Sequence, residues 1–220
     1  MQQAAMTPVG SYVRDLGASL TRMIENTLDW EHLPYLHARD FATIRVVDAD
    51  ASGWVAETTL PGRPDDVLML DLRLHPGRDG WTTRTMRGGE PLAEIVTHVT
   101  ATGARSCRVS IDFHLAGVTS EQAPAIGAYY RTLYARLYDE DEAMMIARQH
   151  SLDTPDRSWR TVGGHRLPNA CPHLGLPLTA DPDADGIVTC PWHGYRFEAA
   201  TGICVSGGAC RWDPPAASLV

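Results

Sequence analysis

The chain has 220 residues, 44% of them hydrophobic, and a formal net charge of −8 at pH 7. This length suits one large or two small domains, and the hydrophobic content is sufficient for a buried core. The 19 basic residues are spread along an acidic chain. The sequence therefore offers no basic stripe to a nucleic-acid backbone and argues against a nucleic-acid partner.

No apolar run approaches the roughly eighteen residues of a membrane span, and residues 1–16 lack the apolar segment of a signal peptide. We therefore expect a cytoplasmic protein. Two of the five cysteines belong to a metal motif described below, which leaves Cys107, Cys204 and Cys210. In a reducing compartment an odd remainder of cysteines predicts thiols.

Two histidines lie near the start of the chain, in the segment Asp29-Trp-Glu-His32-Leu-Pro34-Tyr-Leu-His37. On a regular helix, residues five apart point about 140° apart, so these imidazoles could share a metal only if the helix were broken. Pro34 removes a backbone hydrogen bond and crowds the carbonyl of Trp30. We expect this proline to open the turn and bring the two rings together.

Six strands separated by Gly, Pro and Asp turns are predicted next. They cover 41–48, 53–60, 67–74, 80–87, 92–101 and 105–115. The last strand alternates cleanly, with Cys107 and Phe113 on one face and Arg108 and Asp112 on the other. This pattern predicts an antiparallel sheet with one buried face.

A helical period replaces the alternation from about residue 119 to 149. Its apolar stripe consists of Ile126, Tyr130, Leu133, Leu137 and Met144, and we expect this stripe to lie on the sheet. The predicted fold class is α+β, with an antiparallel sheet gripping a long C-terminal helix. This is a helix-grip, START-like arrangement, and it defines a first domain over residues 1–150.

Asp141 continues that stripe and should face inward, where a carboxylate is costly unless it is paired or bound to a metal. Together with His32 and His37 it would form the two-histidine, one-carboxylate triad typical of non-haem Fe(II) oxygenases. Glu140, almost as well placed, is the alternative carboxylate. Taken singly, packing histidines and a solvated acidic face explain these residues equally well.

Residues 151–158 are polar and contain proline, which is typical of a linker. The remaining segment, 159–220, is small and rich in Gly and Pro, so we expect a bound metal to help hold it together.

Two mixed pairs of ligands, Cys171-Pro-His173 and Cys190-Pro-Trp-His193, are the most informative feature of the chain. Two thiolates and two imidazoles at this spacing can hold a [2Fe–2S] cluster, with the thiolates on one iron and the imidazoles on the other. Structural zinc is the alternative, but zinc sites usually pair Cys with Cys and His with His. The pattern resembles a Rieske site.

The high-potential respiratory type of Rieske centre carries an extra cysteine in each loop and a serine after the second His-Gly. This chain has Leu176, Trp192 and Tyr195 at those positions. The resemblance is therefore to the low-potential branch, near the bottom of the range of roughly −150 to +300 mV. Trp192 and Tyr195 are expected to shield the cluster from water.

Three stretches together resemble the Rieske non-haem iron oxygenases, the ring-hydroxylating and demethylating enzymes. Residues 20–37 are similar to the segment in which a strand ending in Glu-Asn leads into Asp-x-x-His-x-x-x-x-His. Residues 138–145 are similar to the late helix that carries the iron carboxylate, and 165–207 to the Rieske loops.

The resemblance implies a role for each matching residue. The ligands of a mononuclear Fe(II) would be His32, His37 and Asp141. Asp29 would link a cluster histidine to an iron-ligand histidine, and Asn26 would line the catalytic site.

One departure from that family is the order of the domains, because its members place the Rieske domain first and here it comes last. In the family the cluster reaches the iron of a neighbouring subunit, which implies a homo-oligomer, with a trimer favoured. The customary base sheet of the Rieske domain would be incomplete, since only Trp159 to Asn169 precede the first loop.

The leading hypothesis is an oxygenase component that uses O₂ to hydroxylate or demethylate a small, largely apolar or aromatic substrate. A ferredoxin or a flavin-dependent NAD(P)H reductase would supply the electrons, because the chain carries no Gly-rich dinucleotide loop. The alternative is a ligand-binding domain fused to a Rieske electron carrier or redox sensor, without oxygen chemistry.

Overall fold

Seven antiparallel strands form one continuous sheet in the computed structural model, which describes residues 6–213. The described chain divides into two compact units, with the boundary between Met145 and Ile146, and the sheet belongs to the first. The strand order is β1-β7-β6-β5-β4-β3-β2. The strands are β1 (Met6–Leu16), β2 (Thr43–Asp50), β3 (Gly53–Leu60), β4 (Arg63–Leu74), β5 (Gly80–Arg87), β6 (Glu90–Gly103) and β7 (Ser106–Ala116).

Strand β7 has the alternation that the sequence predicts. It pairs with β1 on one side and β6 on the other, so its inward side chains meet neighbours from both strands. Cys107, Val109, Ile111 and Phe113 are all fully buried. Because a one-residue slip would expose this whole set, the alternation fixes the register of the strand.

Strand β1 was not predicted from the sequence. Its segment contains Pro8 and Gly10, both poor strand formers, and the register shifts between these two residues. The irregularity interrupts the alternation that would have indicated a strand, but pairing with β7 over Met6–Leu16 compensates for it.

The strand expected to end in Glu25-Asn26 is instead a helix, α1 (Leu20–Leu28). The hydroxyl of Ser19 accepts a hydrogen bond from the Arg22 amide at 3.3 Å and caps the N-terminus. A one-turn helix, α2 (Leu33–Leu36), follows. The expectation of a strand was therefore wrong, because this capping residue and the helical spacing of buried Met23 and Thr27 favour a helix.

The long helix α3 (Ala123–Asp153) packs on the sheet with a face that differs in part from the predicted stripe. Ile126 and Tyr130 contact the core as expected, and the face continues through Tyr134 and Tyr138. Leu133 and Leu137 are half-buried, and Leu137 lines a cavity together with Tyr134 and Tyr138. The rings of Tyr130 and Tyr134 lie 5.3 and 5.0 Å from that of Phe113. Tyrosines at a four-residue spacing therefore share this face with part of the predicted stripe.

Helix α3 also runs through the first three residues of the segment expected to be a linker. The predicted α+β class, an antiparallel sheet with a long helix, is confirmed. Within residues 6–213, no helix has an apolar stretch long enough to cross a bilayer.

The second unit contains two short antiparallel ladders. Strand β8 (Trp159–Val162) pairs with β9 (His165–Pro168), and β10 (Ile187–Thr189) pairs with β11 (Arg196–Glu198). A small core fills the space around them. Its fully buried members are Leu167, Leu178, Val188 and Phe197, and Trp212 is 5% exposed.

Helix α3 approaches β1 closely at Gly127, where a Cβ would overlap the carbonyl of Val9. Gly127→Ala should therefore destabilise the first unit, although alanine is the better helix former by about 1 kcal/mol. Overpacking costs about 1–3 kcal/mol, so we expect a net loss of about 1 kcal/mol in the free energy of unfolding. Urea denaturation measures this change. Ala128→Gly, at an exposed position beside it, calibrates the helix propensity, and an increase in stability for Gly127→Ala would contradict the close approach.

Candidate metal centres

The two Cys-Pro loops have the same backbone hydrogen bonds. The amide of Cys171 donates to Leu176 at 2.8 Å, and the amide of Cys190 donates to Tyr195 at 2.8 Å. Each cysteine carbonyl also accepts a hydrogen bond from a glycine amide. Gly175 donates to Cys171 at 2.8 Å, and Gly194 donates to Cys190 at 2.9 Å. Both glycines have φ near +70°, at 73° and 66°, a conformation that side chains rarely adopt.

The four candidate ligands of these loops lie together. The thiols of Cys171 and Cys190 are buried and in hydrogen-bonding contact. The rings of His173 and His193 meet edge to face with centroids 4.7 Å apart. Two sulfur and two imidazole donors converge, as the [2Fe–2S] centre of a Rieske domain requires.

The electrostatics of the cysteine pair favour one thiolate. The hydrogen bond from Cys171 lowers the pKa of Cys190, in spite of its burial. The same contact, with burial, raises the pKa of Cys171. A buried thiolate with a second sulfur beside it is suited to binding a cation, so this donor set fits an iron–sulfur cluster.

Aromatic side chains cover the loops. The Tyr195 ring stacks on His173 with centroids 4.4 Å apart. The Trp192 indole N–H donates to the carbonyl of Pro177 at 3.0 Å, which holds the two loops together. Both aromatic residues are half-buried, and the shielding role expected of them stays a prediction.

The early histidines flank α2, with His32 just before it and His37 just after. Pro34 was expected to break a longer helix, but it does not do so, because α1 has already ended at Leu28. It lies in the first turn of α2, where a missing amide proton costs little. The rings of His32 and His37 nevertheless come to 5.2 Å, because the backbone leaves helical geometry at His37.

Asp141 of α3 reaches both rings. One of its carboxylate oxygens lies 3.0 Å from Nε2 of His37 and 3.5 Å from Nε2 of His32. Ligand atoms of these three residues all lie within 4.8 Å of one another, and both histidines are at most 3% exposed. The trio therefore offers two nitrogens and one oxygen to a single ion.

Three further polar groups surround the trio. Glu140 lies 2.6 Å from Nδ1 of His37, and Asp29 lies 3.7 Å from Nδ1 of His32. The Asn26 amide donates to Asp141 at 3.2 Å. Glu140 therefore contacts the outer nitrogen of His37 and directs Nε2 toward Asp141.

Burial opposes charge on His37, but the hydrogen bonds and charges of Asp141 and Glu140 outweigh it and raise the pKa of this histidine. Burial likewise opposes charge on Asp141, whereas contacts with His37, His32 and Asn26 lower the pKa of its carboxyl group. The carboxylate form is thus stabilised by its partners in spite of its burial.

A cavity of about 140 Å³ opens beside the trio within the first unit. Most of its wall is apolar, and it includes Trp54 and Trp81 from the sheet. The trio, Asp29 and Asn26 are also part of the wall. The other polar side chains that line the cavity are Thr27, Thr83, Thr97, Tyr134 and Tyr138. The Trp54 indole donates to the carbonyl of Thr27 at 3.0 Å and ties the end of α1 to the sheet.

Sequence reasoning did not identify Tyr134, Tyr138 or Trp54 as cavity residues. The tyrosines were detectable from their four-residue spacing on the helical face that also carries Asp141. Nothing in the local sequence indicates that the Trp54 side chain reaches α1.

Comparisons with known proteins identify the two units separately. Residues 141–214 match the family model of the Rieske [2Fe-2S] domain. The oxidoreductase NdmD of Pseudomonas putida is 37% identical over 59 residues, which are 26% of this chain and 10% of that protein. The chain thus spans about a tenth of the length of this curated relative.

Solved structures match the helix-grip unit. The ZhuI aromatase/cyclase of Streptomyces sp. R1128 has a TM-score of 0.52 at 9% identity, covering 73% of this chain and 99% of that one. A START superfamily protein of Mycobacterium smegmatis reaches 0.48 at 12% identity, covering 64% and 97%. A truncated norcoclaurine synthase of Thalictrum flavum reaches 0.47 at 17% identity, covering 66% and 97%. The likeness to the aromatase/cyclase shows the fold alone, a helix-grip domain. The Rieske segment that follows it in the chain is shown by the family model.

A [2Fe–2S] cluster at the Cys-Pro loops predicts a coloured protein with an electron paramagnetic resonance signal after reduction by dithionite. Cys190→Ser should abolish both the colour and the signal, whereas Cys107→Ser, in the core of the other unit, should retain them. A colourless protein that contains zinc would contradict the cluster.

Proposed function

We propose that this protein is the oxygenase component of a Rieske-type non-haem iron system. The observation that carries the proposal is the convergence of His32, His37 and Asp141 at the wall of an apolar cavity. The match of residues 141–214 to a Rieske domain adds a redox centre that can relay electrons. A redox centre and a ferrous site in one protein are the two components that this chemistry needs.

The three side chains fit a mononuclear Fe(II), because two imidazoles and one carboxylate on one side leave the other side open. Iron held there would supply the activation of O₂. The protein's own contribution is to orient both Nε2 atoms toward Asp141, through Asp29 and Glu140 behind the rings. Burial of His32 and His37 keeps bulk water from the site.

The cavity supports a small, largely apolar or aromatic substrate that is hydroxylated or demethylated. A cavity of about 150 Å³ in another protein holds benzene, so the 140 Å³ here suits about one aromatic ring. Trp54 and Trp81 provide flat apolar walls. The hydroxyl groups of Thr83 and Thr97 offer polar contacts to a substituent.

The electrons would come from a ferredoxin or a flavin-dependent NAD(P)H reductase. In this proposal the domain of residues 1–150 performs the catalysis, and residues 159–220 carry the cluster. Of the predicted linker 151–158, only the part after Asp153 lies outside α3. We further propose a cytoplasmic homotrimer, in which Asp29 links a cluster histidine of a neighbouring subunit to His32, the candidate iron ligand beside it. Asn26 would line the site and position the carboxylate to which it donates.

One observation favours the second candidate, a ligand-binding domain fused to an electron carrier. His37 already contacts a carboxylate at each ring nitrogen, at 2.6 and 3.0 Å, and its pKa is raised. An imidazolium held between Glu140 and Asp141 would be a buried ion pair that needs no metal. The two candidates therefore differ in iron content.

If the protein is an oxygenase, it should hold three iron atoms per chain after reconstitution. If it is an electron carrier, it should hold two. His37→Ala should remove one iron and all substrate turnover while leaving the visible absorption of the cluster unchanged. His75→Ala, a half-buried histidine outside the cavity, serves as the matched control and should keep all three. Two iron atoms in the unaltered protein would reject the oxygenase and favour the carrier.

Asp29→Asn tests the route of the electron. The neutral amide retains the size of the side chain but loses the charge that aligns His32, so both metals should stay bound while electron delivery slows about tenfold or more. Stopped-flow oxidation of the reduced cluster in a single turnover measures this rate. An unaltered rate would remove Asp29 from the route.

A further inference from the structure

Cys204 and Cys210 lie directly opposite each other in a hairpin of the second unit. Ile203 pairs with Arg211 in an antiparallel bridge, and the amide of Trp212 donates to Gly202 at 3.1 Å. One step along each strand, this register places Cys204 opposite Cys210. Directly opposed residues have Cα atoms about 4.5–5.5 Å apart, within the range that a disulfide spans.

The two side chains are also in contact, because Cys204 has a side-chain hydrogen bond with Cys210. Its sulfur lies 3.4 Å from the hydroxyl of Ser206. Burial opposes ionisation, but these contacts and the backbone amides of Ser206 and Gly208 lower the pKa of Cys204. Both cysteines are half-buried, so small oxidants can reach them.

The hairpin loop touches the aromatic cover of the cluster loops. Gly208 fits between the Tyr195 ring and the sulfur of Cys204, where a Cβ would overlap the ring and lie 3.4 Å from the sulfur. Tyr195 in turn stacks on His173. A change in how tightly the hairpin closes therefore acts on a ring that covers a cluster ligand.

We propose that Cys204 and Cys210 form a reversible disulfide that closes the 204–210 hairpin against Tyr195. The oxidant is a small-molecule disulfide such as oxidised glutathione. The Cys204 thiolate attacks it, forming a mixed disulfide and releasing one glutathione thiolate. Cys210 then attacks the sulfur of Cys204, forms the protein disulfide and releases the second thiolate. The two cysteines lose two electrons and two protons in total. Oxidised glutathione accepts the electrons, and its two released thiolates take up the protons to give two molecules of glutathione.

Peptide mapping of the intact protein, with its cluster in place, tests this assignment. After anaerobic treatment with oxidised glutathione and alkylation with iodoacetamide, trypsin cuts at Arg196 and Arg211 and releases 197–211, which contains both cysteines. The four candidate cluster ligands are released in a separate peptide, 167–196. We expect peptide 197–211 to be unalkylated and lighter by two hydrogen atoms than the unalkylated dithiol peptide. Reduction with dithiothreitol before alkylation should reverse both changes.

Cys204→Ser and Cys210→Ser are the matched controls, and each should leave one thiol that is alkylated or carries glutathione. Full alkylation of both cysteines in the treated wild-type protein would overturn the proposal, as would glutathione adducts that never resolve.

The contact with Tyr195 has its own readout. Loss of visible absorption in the presence of an iron chelator should be several-fold slower in the oxidised hairpin than in the reduced one, and Cys210→Ser should remove the difference. Equal rates in the two wild-type states would overturn closure against Tyr195. Neither measurement depends on a mononuclear iron or on oxygenase activity.

Discussion

The packing of α3 on the sheet is the constraint on which the first unit depends. Aromatic rings from the helix and from β7 fill the same layer, with Tyr134 within 5.0 Å of Phe113. This contact fixes the rotation of the helix about its axis. About two turns further along the same face, Asp141 then points at His32 and His37, more than a hundred residues away in sequence. The candidate iron site is therefore a consequence of core packing.

The site concentrates buried charge, which is tolerated because every member has a partner. Asp141 has His37, His32 and Asn26 around it, and Glu140 lies on the outer side of His37. Breaking a buried pair by removing one member leaves an uncompensated charge that costs about 3–5 kcal/mol. A metal could replace the proton on His37, so the arrangement that stabilises an ion pair is also prepared to bind a cation.

Much of the fold followed from periodicity. The clean alternation of β7 predicted a buried face, and the helical period after residue 119 predicted α3. Both signals are strong because each element buries one face only. Periodicity did not predict β1, because Pro8 and Gly10 interrupt its alternation. The family resemblance implied a strand where Ser19 caps a helix. The predicted stripe omits Tyr134 and Tyr138, because leucines close to them fit the same helical period.

The sequence by itself determined the cluster loops, since Cys171, His173, Cys190 and His193 lie within 23 residues and glycines permit the tight turns that bring them together. It also restricted the distant ligands to a few candidates. Only the tertiary structure decided that Asp141 faces both imidazoles while Glu140 faces the outer nitrogen of one. Adjacent residues on a helix differ by about 100° in direction, and the packing of the whole helix sets which of them points inward.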